Sequence, residues 1–136
     1  MDGFVQVPLH ILNAMITHAR SEPRAECCGL LAGRGGSITR IFPAVNAAAN
    51  PATSYEIAPK EIFERMREMR GEGMEMLGIY HSHPNGKNEP SPRDIEQAYY
   101  SEAAYFIVSA LDGAQKPVRA FSIQQGRVTE LEIQVS

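Results

Sequence analysis

Met74-Glu-Met-Leu-Gly-Ile-Tyr80-His81-Ser82-His83-Pro84 decides how this chain is read. Met74 to Tyr80 is apolar with little helical periodicity, and it is bounded by glycine before and His-Pro after. That predicts a buried strand with both histidines at its C-terminal end. Side chains alternate across a strand, so His81 and His83 project from one face while Ser82 points the other way, and the two imidazoles form a bidentate clamp. Downstream, Asn85 to Pro90 is a polar loop, and Ser91-Pro92 fits an N-cap followed by proline at the first position of a helix running to about Tyr100. Asp94 then lies in the first helical turn, with ten residues between it and His83, and the loop can fold its carboxylate back onto the imidazoles. The set is N, N and O. Structural zinc sites are usually closed by four protein ligands, whereas catalytic ones use three and leave a place to water, whose pKa falls to about 7.

Upstream, Leu9, Leu12, Met15, Ile16 and Ala19 recur at steps of three and four, which predicts a helix from about Pro8 to Arg20 with these residues inward. Glu26-Cys-Cys-Gly-Leu-Leu-Ala-Gly33 and Ile38 to Val45, separated by Gly35 and Gly36, read as a hairpin. A short strand is expected around Tyr55 to Ile57. Pro59 then starts a helix carrying Ile62, Phe63, Met66 and Met69 inward, which Gly71 and Gly73 stop. Three more strands are expected at Ala104 to Leu111, Pro117 to Gln124 and Arg127 to Val135, parted by the turn signals Asp112-Gly113 and Gln125-Gly126. The fold class is α+β, with a mixed, largely antiparallel sheet and flanking helices.

A chain of 136 residues without repeats or low-complexity tracts fits one domain, residues 1–136, burying about two-thirds of its unfolded surface. The formal charge of -3 gives no general attraction to phosphate backbones or anionic lipid, so nucleic acid and membrane are poor candidate partners. The first ten residues carry neither the basic nor the apolar region of a signal peptide, and Cys27 and Cys28, being adjacent, cannot form a loop-closing disulfide framework. A cytoplasmic location is expected.

Three separated stretches carry a resemblance: Glu26-Cys-Cys-Gly-Leu-Leu-Ala-Gly33, His81-Ser-His-Pro84 and Ser91-Pro-Arg-Asp94. In order and spacing they resemble the JAMM (MPN+) zinc metallopeptidases. The resemblance implies a single MPN/JAB-like domain of cytidine-deaminase-like architecture. It implies one zinc per chain held by His81, His83 and Asp94, with Glu26 as general base and Ser91 stabilising the tetrahedral oxyanion. Spacing by itself does not single out Glu26 from Glu22, Glu56 or Glu89; the resemblance does. The short chain is similar to the small prokaryotic-type members, which trim ubiquitin-like sulfur-carrier proteins near a C-terminal Gly-Gly, and it lacks the long insertions of the eukaryotic deubiquitinases.

Plainer readings stand beside these. Ser91 as an N-cap and Asp94 as an acid at a helix start explain both residues structurally, and a hydroxyl that accepts a backbone N–H still has its own proton to donate. Cys28 shares strand parity with Glu26 but reads as core filler, and His10 and His18 as solvated or core-edge residues. Other functions compatible with the sequence are a non-catalytic MPN scaffold, a RadC-like protein, and an Fe(II) oxygenase, since two histidines and a carboxylate also form that facial triad.

Overall fold

The computed structural model describes residues 3–111 and 113–136. Its elements are β1 (Phe4–Val7), α1 (Leu9–Ser21), β2 (Cys28–Arg34), β3 (Ser37–Ala44), α2 (Pro59–Gly71), β4 (Glu75–His83), α3 (Pro92–Glu96), β5 (Ala104–Ser109), β6 (Val118–Gln124) and β7 (Arg127–Val135). The sheet is mixed, with four antiparallel and three parallel pairings. It closes on itself as a barrel in the order β1-β3-β2-β4-β5-β6-β7. The closure comes from β1, a four-residue strand absent from the sequence reading, which lies parallel to both β3 and β7 and joins the two ends.

The strands separate two apolar clusters by their two-residue period. In β5, Ala104, Phe106 and Val108 join Ile11, Met15 and Ala19 of α1, while Tyr105 and Ile107 join Met69 of α2. Every residue of β5 is buried, as expected for an apolar run covered on both sides. The α1 stripe is rotated from the expected one: Ile11, Met15 and Ala19, spaced by four, are buried, while Leu9 at the helix start is 57% exposed. Tight turns follow the glycines. Gly35 and Gly36 have φ of 57 and 82°, and Gln125 and Gly126 have φ of 51 and 79°, the double left-handed turn that suits two-residue hairpins. Gly29 is needed for another reason, since a Cβ there would fall 2.3 Å from Cε1 of Tyr80, the residue opposite it in β4.

Several expectations need correction. Residues 55–57 form no strand, because Glu56 alone pairs with the preceding loop, accepting from the Ala47 N–H at 2.8 Å and donating to Asn46 Oδ1 at 3.2 Å. Phe63 does not face the core; it is 61% exposed, and among the α2 residues expected inward Met69 is the buried one. α3 ends at Glu96 rather than near Tyr100, whose N–H turns away to the Tyr105 hydroxyl at 3.0 Å. Of the Asp112-Gly113 turn signal, Asp112 lies outside the described residues, and Gly113 has a φ of 79°. No helix among the described residues is long and apolar enough to cross a membrane.

Candidate metal centre

β2 and β4 run antiparallel with Cys28 opposite His81, and the Ser82 N–H donates to the Cys27 carbonyl at 3.0 Å. Continuing that register by one pair sets Glu26 across from His83, on the face shared by both histidines. Ser82 points the other way, as expected, and its hydroxyl accepts the Cys27 N–H at 2.9 Å. Glu26 lies just before β2, where its N–H donates to Pro51 at 2.8 Å and its carbonyl accepts from Asn46 Nδ2 at 2.8 Å. From the other side, Ser91 caps α3. Its hydroxyl accepts the Asp94 N–H at 3.1 Å and its own N–H donates to Asp94 Oδ2 at 2.9 Å, so the reciprocal cap fixes the carboxylate.

Three donors converge. His81 Nε2 and His83 Nε2 are 3.1 Å apart, Asp94 Oδ2 is 3.0 Å from His83 Nε2, and Asp94 Oδ1 is 3.2 Å from His81 Nε2. Atoms held about 2.0–2.1 Å from a tetrahedral ion would be roughly 3.3 Å apart, so this triangle fits a metal to a few tenths of an ångström. A wider triangle overlaps it: one carboxylate oxygen of Glu26 and one nitrogen of each histidine lie within 4.8 Å of one another and could also hold a metal ion.

The triangle draws positive charge, a proton on His83 in the metal-free protein or a metal ion in its place. His83 Nδ1 donates to the Lys87 carbonyl, which can only accept, so in the neutral ring Nε2 is left as a lone pair aimed into the triangle. Burial works against the charged form of His83, but the Asp94 carboxylate and the Lys87 carbonyl outweigh it and the net shift is upward. For His81, burial prevails over Asp94 and the ring is held neutral. Burial alone would raise the Asp94 carboxyl; hydrogen bonds from both histidines reverse this and hold it well below the usual carboxylate range. Glu26 differs: burial, reinforced by Asp94 and opposed by His83 and Arg93, pushes its carboxyl up to about 7. Glu26 Oε1 and His81 Nδ1 are buried without a hydrogen-bond partner, a pair of unmet donor and acceptor sites of the kind that ions and water satisfy.

Glu26, His83 and Ser91 share the wall of a cleft of about 480 Å³. The structure thus gathers all five residues singled out in the sequence. Cys28 belongs to the apolar core, with its thiol pushed up to about 12 by burial. His10 is exposed, and His18 sits at the core edge, 2.8 Å from the Tyr80 hydroxyl and 3.0 Å from Glu22. Three contributors escaped the sequence reading. Tyr55 stacks on His81 with centroids 4.3 Å apart. The Lys87 carbonyl orients His83, and Asn46 ties the Glu26 carbonyl to the backbone of Ser54, Glu56 and Ala48. An aromatic or asparagine in a polar loop carries no signal of such a role until the loop's path is known.

An N, N, O donor set beside a buried carboxyl pushed up to about 7, on the wall of a cleft, is the arrangement that a metal-dependent hydrolase uses. The profile described as "Prokaryotic homologs of the JAB domain" matches residues 8–124. The chain is 34% identical, over 93% of its length and 81% of the other, to a Thermus thermophilus protein described as "Probable TtuB-protein conjugate cleaving protease". It is 35% identical to the CysO-cysteine peptidase of Mycobacterium tuberculosis, covering 92% of this chain and 86% of that one. The solution structure of a Desulfitobacterium hafniense protein superposes with a TM-score of 0.86 at 32% identity, over 98% of this chain and 93% of that one. The chain belongs to the family of prokaryotic JAB-domain proteins.

Proposed function

We propose that this protein is a zinc-dependent peptidase or isopeptidase that cuts the amide bond after the Gly-Gly tail of a ubiquitin-like or sulfur-carrier protein. One zinc per chain would be held by His81, His83 and Asp94, with Glu26 as general base and Ser91 as oxyanion donor. The observation that supports it most is the triangle of 3.0–3.2 Å edges with Glu26 and Ser91 on the adjoining cleft. Zinc held there would supply Lewis acidity and a water acidic enough to ionise near neutral pH. Glu26 would take a proton from the attacking water and, as the C–N bond breaks, pass it to the departing nitrogen, so that amide and water become carboxylic acid and amine. Burial pushes the metal-free carboxyl up, which favours its holding a proton between the two halves of the transfer. Ser91 uses an acceptor site for the helix cap and keeps its proton for the oxyanion. The reading covers residues 1–136 as one domain of cytidine-deaminase-like architecture, α1 and α2 packing in separate clusters, in a cytoplasmic protein with both cysteines free.

The substrate class is supported by the names of the relatives, one a probable TtuB-protein conjugate cleaving protease and the other a CysO-cysteine peptidase. A carbonyl recessed among these side chains is reached by an extended tail, and glycines beside the cut let it enter without Cβ clashes. A sulfur-carrier protein extended beyond its Gly-Gly should be cut after the second glycine, as read by mass spectrometry, and valine in place of that glycine should abolish cleavage. Equal cutting of the valine form would remove this substrate class and leave the metal chemistry standing.

Ser91→Ala should be the milder of the catalytic variants. Loss of one oxyanion donor costs on the order of a hundredfold in turnover, and loss of the cap about 1 kcal/mol in stability. Turnover and thermal denaturation measured on the same preparation separate the two effects. Wild-type turnover in a destabilised protein would leave Ser91 as a cap alone.

A further inference from the structure

We propose that the cleft beside Glu26 receives the departing residue of the substrate, and that Lys87 binds a free α-carboxylate on it. The enzyme then prefers a single C-terminal amino acid as leaving group over an isopeptide or a longer peptide. This rests on the peptidase reading above.

The side of the cut follows from proton transfer. The group that protonates the departing nitrogen must come within about 2.6–3.2 Å of it, so the nitrogen lies next to Glu26. Glu26 lines the cleft of about 480 Å³ together with Thr53, Asn85, Lys87, Glu89 and Ser91. A second cleft of about 670 Å³, more apolar and walled by Tyr55, Phe63 and Tyr99, is not lined by Glu26. The leaving group therefore occupies the first.

The charges in that cleft favour an anion at one point. Glu89 is engaged by Arg119 at 3.5 Å, and Glu26 belongs to the catalytic end. Among the described residues, Lys87 is the cleft's cation, and no carboxylate lies within 4.0 Å of its ammonium. Its backbone is held in place. The Gly86 N–H donates to the His83 carbonyl at 2.9 Å, and the Lys87 N–H to Asn85 Oδ1 at 3.0 Å. His83 takes the Lys87 carbonyl, and Asn88 donates to the carbonyl of Lys116. A Cβ on Gly86 would fall 2.1 Å from Leu111, so the loop is packed as well as hydrogen-bonded. The lysine backbone is thus fixed four residues from His83, and its exposed side chain is free to reach into the cleft it lines.

The chemistry of the leaving group then discriminates. In a single departing amino acid the carboxylate is two bonds from the nitrogen and meets an ammonium as a charge-assisted pair. In a longer peptide that position is a neutral amide, and in an isopeptide it is a methylene.

The test uses a sulfur-carrier protein whose Gly-Gly is extended by one alanine, prepared as the free acid and as the carboxamide. The zinc-loaded wild type should cleave the acid roughly tenfold faster in kcat/KM. Lys87→Gln should bring the ratio to about one, Lys87→Arg should restore it, and Lys87→Glu should invert it. Any disturbance of His83 through the loop backbone lowers both rates and leaves the ratio intact. A wild-type ratio near one, or a ratio unchanged in Lys87→Gln, overturns the proposal while cleavage itself upholds the peptidase reading. Cleavage of neither substrate overturns both.

Discussion

Glu26→Gln is expected to lower peptidase turnover by between about 10² and 10⁴ while metal content and fold are retained. The amide keeps the shape that fits across from His83 but has no basic oxygen pair to take a proton. With the zinc-loaded wild type, kcat/KM should fall on the acid side because the base must be ionised, and the fall should begin below the value of about 7 that burial gives the metal-free carboxyl, since a cation beside it favours the carboxylate. The same shift has a stability consequence of definite sign. The folded carboxyl lies above its ordinary value of 4.5, so the metal-free protein is stabilised by Glu26 below that value and loses the contribution as pH rises through about 7. Metal-free Glu26→Gln cannot ionise there. It should melt above the wild type at pH 8, with the difference narrowing toward pH 5. Wild-type turnover by the variant, or a lower melting point at pH 8, would contradict the assigned role.

Most of the scaffold was legible because its signals are local. Pro59 and Pro92 mark helix starts, Gly35-Gly36 and Gln125-Gly126 set tight turns, and the parity of His81 and His83 depends on nothing beyond the strand that carries them. What escaped depends on partners distant in sequence. β1 has four residues and owes its existence to β3 and β7, so no window around Phe4 to Val7 could reveal barrel closure. Tyr55 to Ile57 has strand-forming side chains, but its loop folds back on Asn46 instead of finding a ladder. Phe63 was read inward from helical periodicity and instead lines the larger cleft, a case in which an apolar residue serves the surface. Within the site, the carboxylate at a helix start was legible from Ser91 and its spacing. Glu26 was legible from the family resemblance, and its position opposite His83 follows physically from a register that sequence does not state.

His81→Ala, His83→Ala and Asp94→Asn should each reduce bound zinc from about one per chain to nearly none under dialysis, because each removes one of three protein ligands. Asp94→Asn is the sharpest of them. The asparagine oxygen can still accept the Ser91 N–H, so the cap of α3 is kept and loss of metal cannot be put down to an unwound helix. Its effect exceeds the loss of a ligand atom, since the two imidazoles also lose the anion that both contact at 3.0–3.2 Å. Chelator should inactivate the wild type and added zinc should restore it, whereas these variants should stay inactive at equal zinc. The comparison with Glu26→Gln decides between the two overlapping triangles. Glu26 lies on the wider one, whose donor atoms spread over as much as 4.8 Å, and a carboxylate there acts on water more readily than it closes a tetrahedron of 3.0–3.2 Å edges. Zinc retained by Glu26→Gln and lost by Asp94→Asn, measured by elemental analysis, is the expected pattern. Zinc lost by Glu26→Gln and retained by Asp94→Asn would make the wider triangle the ligand set and require a different base.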